Sequence, residues 1–114
     1  VTVSRLFVYG TLMDDERVRR LVGRPLPRRP AVLEGYCRTL DPSIGYPVVH
    51  PLAGSSVDGL LLDDVDERTL AALDAYEGPR YRRVTVRVQT SDGGAVDAYV
   101  YVPARRSAST AERP

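Results

Sequence analysis

Two places in this chain combine residue types that could do chemistry: Tyr9-Gly10-Thr11-Leu12, and Glu77 in Leu73-Asp74-Ala75-Tyr76-Glu77-Gly78. The first follows a strand-like apolar run and turns on a glycine. A turn of that kind presents backbone N–H groups to a small anion. Glu77 lies seven positions after Leu70 and four after Leu73. At ~100° per residue it falls about 20–40° from that leucine stripe. A carboxylate so placed is paired, protonated or lining a cavity. The negative end of a helix and burial both raise its pKa, toward the range where one group can accept and return a proton. Arg80, Arg82 and Arg83 stand close enough in sequence to pair with it and reverse that shift. Both outcomes are open at the level of local pattern. The turn alone has an equally ordinary reading, since strand-to-helix turns commonly use Gly for backbone freedom and Thr for local hydrogen bonds.

Other chemistries lack their residues. His50 is the only histidine and Cys37 the only cysteine, so neither a metal-ligand spacing nor an internal disulfide is present. Both read as packed or solvated side chains. There is no Gly-x-Ser-x-Gly elbow, Walker A loop or Gly-x-Gly-x-x-Gly fingerprint. All 16 basic residues are arginine, which removes lysine-based Schiff-base chemistry. No cofactor is implied. A net charge of +1 offers no basic field for nucleic acid or a membrane surface. No apolar run reaches the length of a membrane span and no signal-peptide pattern opens the sequence, so cytoplasm is the default compartment. Oligomeric state has no signature in the sequence.

The elements that must position these residues follow from periodicity and turn chemistry. With 114 residues, 43% hydrophobic and 27% charged, the chain suits one soluble domain. Val3 to Val8 reads as a buried strand. Asp14-Asp15-Glu16 opens a helix striped by Val18, Leu21 and Val22 and ended by Gly23. Arg24 to Pro30, rich in Arg and Pro, reads as a loop. Ala31 to Leu40 reads as a strand with Gly35 at a bulge or close approach. Pro42 to Gly45 is a turn, Tyr46 to Val49 a short extended piece, and Val57 to Leu62 a strand. Asp66 caps a helix that runs to Tyr76 or Glu77, and Gly78-Pro79 stops it. Tyr81 to Thr90 and Val96 to Val102 alternate cleanly about a Ser91-Asp92-Gly93-Gly94 hairpin turn. The expectation is an α+β domain over residues 1–104, with a mixed or barrel-like sheet and two main helices, and a flexible tail over 105–114. The alternation leaves Tyr81, Tyr99 and Tyr101 opposite the valines. They point into a barrel cavity, or sit under the helices or on the outside.

Phe7-Val8-Tyr9-Gly10-Thr11-Leu12, Tyr46-Pro47, Val57-Asp58-Gly59, Leu73-Asp74-x-Tyr76-Glu77-Gly78, Tyr81-x-Arg83 and Ala98-Tyr99-Val100-Tyr101 together resemble the γ-glutamylcyclotransferase-like family, in particular its AIG2-like branch. The order and spacing match from about Arg5 to Val102. The resemblance implies a small mixed or antiparallel β-barrel-like fold with a cavity at one end. It implies an acyltransferase- or lyase-type reaction in which a γ-glutamyl amine or γ-glutamyl amino acid closes to 5-oxoproline and releases its amine. Tyr9, Gly10, Thr11 and Leu12 would then hold the glutamyl end of the substrate, and Glu77 would match the catalytic glutamate. Tyr81 and Tyr101 would be secondary substrate-binding groups. Such a reaction needs no nucleophile, metal or water from the protein, which suits this residue inventory. Loops Arg24–Pro30 and Asp41–Gly45 are expected to build the rim. The rival readings are a non-catalytic small-metabolite binder on the same fold and a hydrolase that releases free glutamate.

Overall fold

Strand β1, Ser4–Val8, is short and central. Phe7 is fully buried inside a barrel, while Leu6 and Val8 are buried on the opposite face beneath two helices. Burial on both sides is why the segment reads as an unbroken apolar run instead of an alternating one. The computed structural model describes residues 4–42 and 45–104. Expectations for Val3, for 43–44 within the turn and for the tail at 105–114 lie outside the described residues. Helix α1 spans Asp15–Val22, β2 Arg28–Asp41, β3 Tyr46–Val65, α2 Glu67–Glu77, β4 Tyr81–Thr90 and β5 Ala95–Pro103. The strands close a barrel in the order β1-β3-β2-β4-β5. Pairing is antiparallel except where β1 meets β5, Leu6 opposite Tyr99 and Phe7 opposite Val100. The α+β barrel-like architecture expected from the sequence is the one observed.

Both helices begin as their sequences specify. Asp14 accepts from the Glu16 N–H at 3.1 Å, and Gly23 ends α1 in the left-handed region at φ 82°. Asp66 accepts from the Thr69 N–H at 2.8 Å, and hydrogen bonding from the Thr69 side chain and backbone holds its carboxyl below the usual range. Leu70 and Leu73 anchor α2 in the layer between helices and barrel, with Leu6, Val8, Leu62 and Val65. Among the described residues, no helix is long and apolar enough to cross a membrane.

Two expectations about β2 and β3 are corrected. The pieces at Tyr46–Val49 and Val57–Leu62 belong to one strand, β3, because β2 supplies a ladder partner from Arg28 opposite Leu62 to Asp41 opposite Tyr46. The ladder breaks register only between Glu34 and Tyr36, where Gly35 (φ 83°) faces a β3 stretch containing Gly54 (φ 89°). Arg28, Arg29 and Pro30 are likewise strand residues, not loop. Arg28 donates to the Met13 carbonyl at 2.6 Å, and Arg29 pairs with Asp63 at 3.1 Å. Tertiary pairing overrides a composition that looks like a loop.

The alternation of β4 and β5 resolves the two faces. Val88, Ala98, Val100 and Val102 are buried inside the barrel, whereas Tyr81, Tyr99 and Tyr101 pack in the layer under the helices. Gly59 of β3 carries the contact that sets β1. A Cβ there would run into the Val8 carbonyl oxygen and the Phe7 ring. We predict that Gly59→Ala costs about 1–3 kcal/mol, as overpacking of a fitted core does. Urea denaturation measures this. An unchanged midpoint would show that β1 moves away without penalty.

Candidate active site

A cavity of about 190 Å³ opens at the end of the barrel where β1 leaves it and the last turn of α2 closes over it. One wall is the segment from Phe7 to Leu12, the other is Tyr76 and Glu77, and Tyr46, Pro47, Arg80, Tyr81 and Tyr101 complete it. A volume of this size fits the end of a small polar molecule more closely than a drug-sized ligand, whose pockets run to roughly 300–1,000 Å³.

Local geometry fixes the turn. Thr11–Met13 is a single 3₁₀ turn, closed by the Met13 N–H on the Gly10 carbonyl at 3.0 Å and the Asp14 N–H on the Thr11 carbonyl at 3.2 Å. The first N–H groups of such a turn have no partner within it. Gly10 faces Pro47, whose Cγ would lie 3.1 Å from an added Cβ. Any side chain at Gly10 therefore pushes on the opposite wall. The Thr11 hydroxyl and the Tyr76 hydroxyl are 2.9 Å apart, a hydrogen bond that ties the turn to the end of α2.

Glu77 is half-buried at the last position of α2, and Gly78 leaves the helix at φ 77°. Its carboxylate has no ion-pair partner among the described residues. Arg83 pairs instead with Asp74, Nη2 to Oδ2 at 3.3 Å, and lies over the Tyr99 ring at 4.6 Å. Burial alone then pushes the Glu77 carboxyl from its ordinary 4.5 up to about 7. Of the two outcomes the sequence left open, desolvation without pairing is the one found.

The tyrosines are already engaged. The Tyr9 hydroxyl donates to the Tyr101 carbonyl at 2.5 Å, and the Tyr101 hydroxyl to Asp74 Oδ1 at 2.7 Å. The Tyr81 hydroxyl donates to the Pro47 carbonyl at 3.2 Å. Burial raises all three pKa values: Tyr81 to about 12, with the Glu77 charge adding to it, and Tyr9 and Tyr101 well above the usual phenol range. These groups are neutral at any physiological pH. They supply rings and spare oxygen lone pairs to the cavity, and no proton donor that is not already used.

The structure thus brings together every site residue singled out in the sequence: Tyr9, Gly10, Thr11, Leu12, Glu77, Tyr81 and Tyr101 all line one cavity. It adds Tyr46, Pro47, Tyr76 and Arg80 as lining residues and Asp74 as the support of Tyr101. Tyr76 and Asp74 stand beside Glu77 in sequence, but no periodicity separates a lining neighbour from a supporting one. The rim expectation is corrected: neither 24–30 nor the described residues of 41–45 contribute a lining residue, and the chain enters the site one step later, at Tyr46-Pro47. Arg24 reaches instead to the Asp64 carbonyl and Thr69 hydroxyl. Cys37 and His50 line no part of the cavity, although strand pairing sets them directly opposite each other. Among the described residues no group of three His, Cys, Asp or Glu side chains could hold a metal ion.

The raised Glu77 pKa has a thermodynamic consequence. Between 4.5 and about 7 the folded state holds a proton that the unfolded state has lost, so stability falls as pH rises through that window. Below it both states are protonated, and above it the penalty is complete. We predict that Glu77→Gln is more stable than the parent at pH 8, by ~2 kcal/mol after discounting for partial exposure. The difference closes below the ordinary pKa of 4.5. Denaturation at pH 4 and pH 8 measures it. A difference independent of pH would contradict burial as the cause.

The match to known proteins covers the same elements. A family profile described as "Gamma-glutamyl cyclotransferase, AIG2-like" matches residues 6–114. A Methanocaldococcus jannaschii protein, described as a gamma-glutamylcyclotransferase and putative RNase, is 32% identical over 99 residues, 85% of this chain and 45% of its own length. Among solved structures, the solution structure of an Arabidopsis thaliana protein superposes with a TM-score of 0.85 at 28% identity, covering 91% of this chain and 64% of that one. The crystal structure of a mouse AIG2-like protein gives 0.76 at 24% identity over 100% of this chain and 86% of that one, a likeness of fold. The chain spans about half the length of the first of these relatives and 61% of an Arabidopsis AIG2 protein. From the profile match along nearly its whole length, this chain belongs to the AIG2-like gamma-glutamyl cyclotransferase family.

Proposed function

We propose that the protein cyclises a γ-glutamyl amine or γ-glutamyl amino acid to 5-oxoproline and releases the amine. The observation that carries this reading is one half-buried, unpaired carboxyl with a pKa near 7, in the same cavity as the Gly10–Leu12 turn. The family and the fold agree with it.

In the proposed reaction the N–H groups at the start of the turn hold the glutamyl α-carboxylate. The substrate's α-amine attacks its own side-chain carbonyl carbon. A carbon–nitrogen bond forms to close the five-membered lactam, and the amide carbon–nitrogen bond breaks. Glu77 takes the proton from the attacking nitrogen and delivers it to the departing one, so the group ends as it began. A base with a pKa near the working pH suits both halves of that transfer. The cavity's other contribution is shape. Folding a flexible γ-glutamyl chain into its ring-closing conformation is the kind of orientation effect worth up to ~7–11 kcal/mol. The aromatic wall of Tyr76, Tyr81 and Tyr101 and the ring of Pro47 restrict that conformation.

Glu77→Gln is expected to fold and to lose about 10²–10⁴-fold in 5-oxoproline formation. In the parent, kcat/KM should rise with pH through about 7 as Glu77 ionises. A chromatographic assay of 5-oxoproline from a panel of γ-glutamyl compounds measures both. Undiminished turnover in the variant would remove Glu77 from the role. Free glutamate in place of 5-oxoproline would make the protein a hydrolase, and a thermal shift without any product would make it a binder.

A further inference from the structure

Three arginines follow Glu77, and the fold gives each a different environment. Arg83 is held by Asp74 and the Tyr99 ring, and Arg82 is exposed and lines no part of the cavity. Arg80 alone lines it. Its backbone is fixed: it closes the 3₁₀ turn Gly78–Arg80, and its carbonyl accepts from the Ala104 N–H at 2.8 Å. Its side chain is exposed and has no ion-pair partner among the described residues. Among the described residues, Glu77 and Arg80 are the two charged ones in the cavity lining. Asp41 stands close enough for its charge to act on Tyr81, so that side of the mouth is not free of negative field.

We propose that Arg80 is a specificity determinant that binds a carboxylate carried by the leaving amine, so that γ-glutamyl amino acids are preferred over γ-glutamyl amines lacking that group. This rests on the cyclisation reading, which orders the site. The half-buried turn takes the glutamyl end, Glu77 serves the two nitrogens, and what lies beyond Glu77 toward the exposed Arg80 belongs to the leaving group. Arg80 follows Glu77 by three residues on the solvent side of that order. A carboxylate on the carbon next to the departing nitrogen would sit near this guanidinium, which matches carboxylate geometry with paired N–H donors. Because the group is exposed, the gain is modest and sensitive to salt.

The test uses two ligands that differ only in that carboxylate: γ-glutamyl-alanine and γ-glutamyl-ethylamide. Their affinities are measured by calorimetry on Glu77→Gln, which holds them without turnover, and on Glu77→Gln with Arg80→Gln or Arg80→Lys. The expected result is that the affinity ratio favouring γ-glutamyl-alanine falls about tenfold with Arg80→Gln. Arg80→Lys should retain part of it, and 0.5 M salt should shrink it. The ratio is taken within one protein, so a loss of folded protein cancels. An unchanged ratio overturns the proposal, whether Arg80→Gln weakens both ligands equally or neither. Turnover of the parent on both compounds separates this from the cyclisation reading. Product formation with an unchanged ratio leaves cyclisation standing and removes Arg80. A carboxylate-dependent ratio without 5-oxoproline keeps Arg80 and removes cyclisation. Binding of neither ligand overturns both.

Discussion

Two carboxylates three residues apart on the last turn of α2 divide the available partners, and the site depends on that division. Asp74 takes the Arg83 guanidinium and the Tyr101 hydroxyl. Glu77 is left facing the cavity with burial as the sole cause of its raised pKa. Had Arg83 turned to Glu77, the same burial would have been compensated by an ion pair and the carboxyl would have remained an ordinary anion. The Asp74 pairing also fixes Tyr101, whose backbone carbonyl in turn receives the Tyr9 hydroxyl. One carboxylate thus aligns the walls, and the other is kept available.

The rest of the fold serves this arrangement by giving β1 two buried faces. Phe7 fills the barrel, Leu6 and Val8 seat the helices, and the strand delivers Tyr9 and Gly10 to the barrel mouth. Gly59 allows β3 to approach closely enough for that seating. On the other side, Leu70 and Leu73 hold α2 against the same layer, so its last residue projects over the cavity. The desolvation that raises Glu77 costs stability, and the core contacts of α2 offset it. Such local instability is commonly stored at sites of function and compensated elsewhere in a fold.

Much of this was legible in the sequence where the signal is local. The valines of β4 and β5 alternate because one face is buried, the Asp and Gly at helix ends satisfy or release backbone groups, and the leucine spacing placed Glu77 inward. The order of motifs from Phe7 to Tyr101 carried the family and with it the barrel. What could not be read depends on contacts between distant segments. The seven residues from His50 to Ser56 carry no strand pattern, yet all lie within β3, with His50, Pro51 and Ser56 paired to β2. Arg28 and Arg29 look like loop residues until Met13 and Asp63 are brought beside them. Arg80, Arg82 and Arg83 are equivalent neighbours of Glu77 in sequence, and only packing assigns Arg83 to Asp74 and Arg80 to the cavity mouth. The tyrosines were undecided for the same reason, since period-two alternation gives a face but not what covers it.

The most direct test of the account is the titration of the Glu77 carboxyl itself. Carbon-13 NMR of protein labelled at glutamate side-chain carboxyls, assigned by comparison with Glu77→Gln, follows that group across pH. One glutamate resonance with a midpoint near 7, separated from the others, is expected. A midpoint at the ordinary value of 4.5 would contradict the account, because it would mean the carboxyl is solvated or paired in solution.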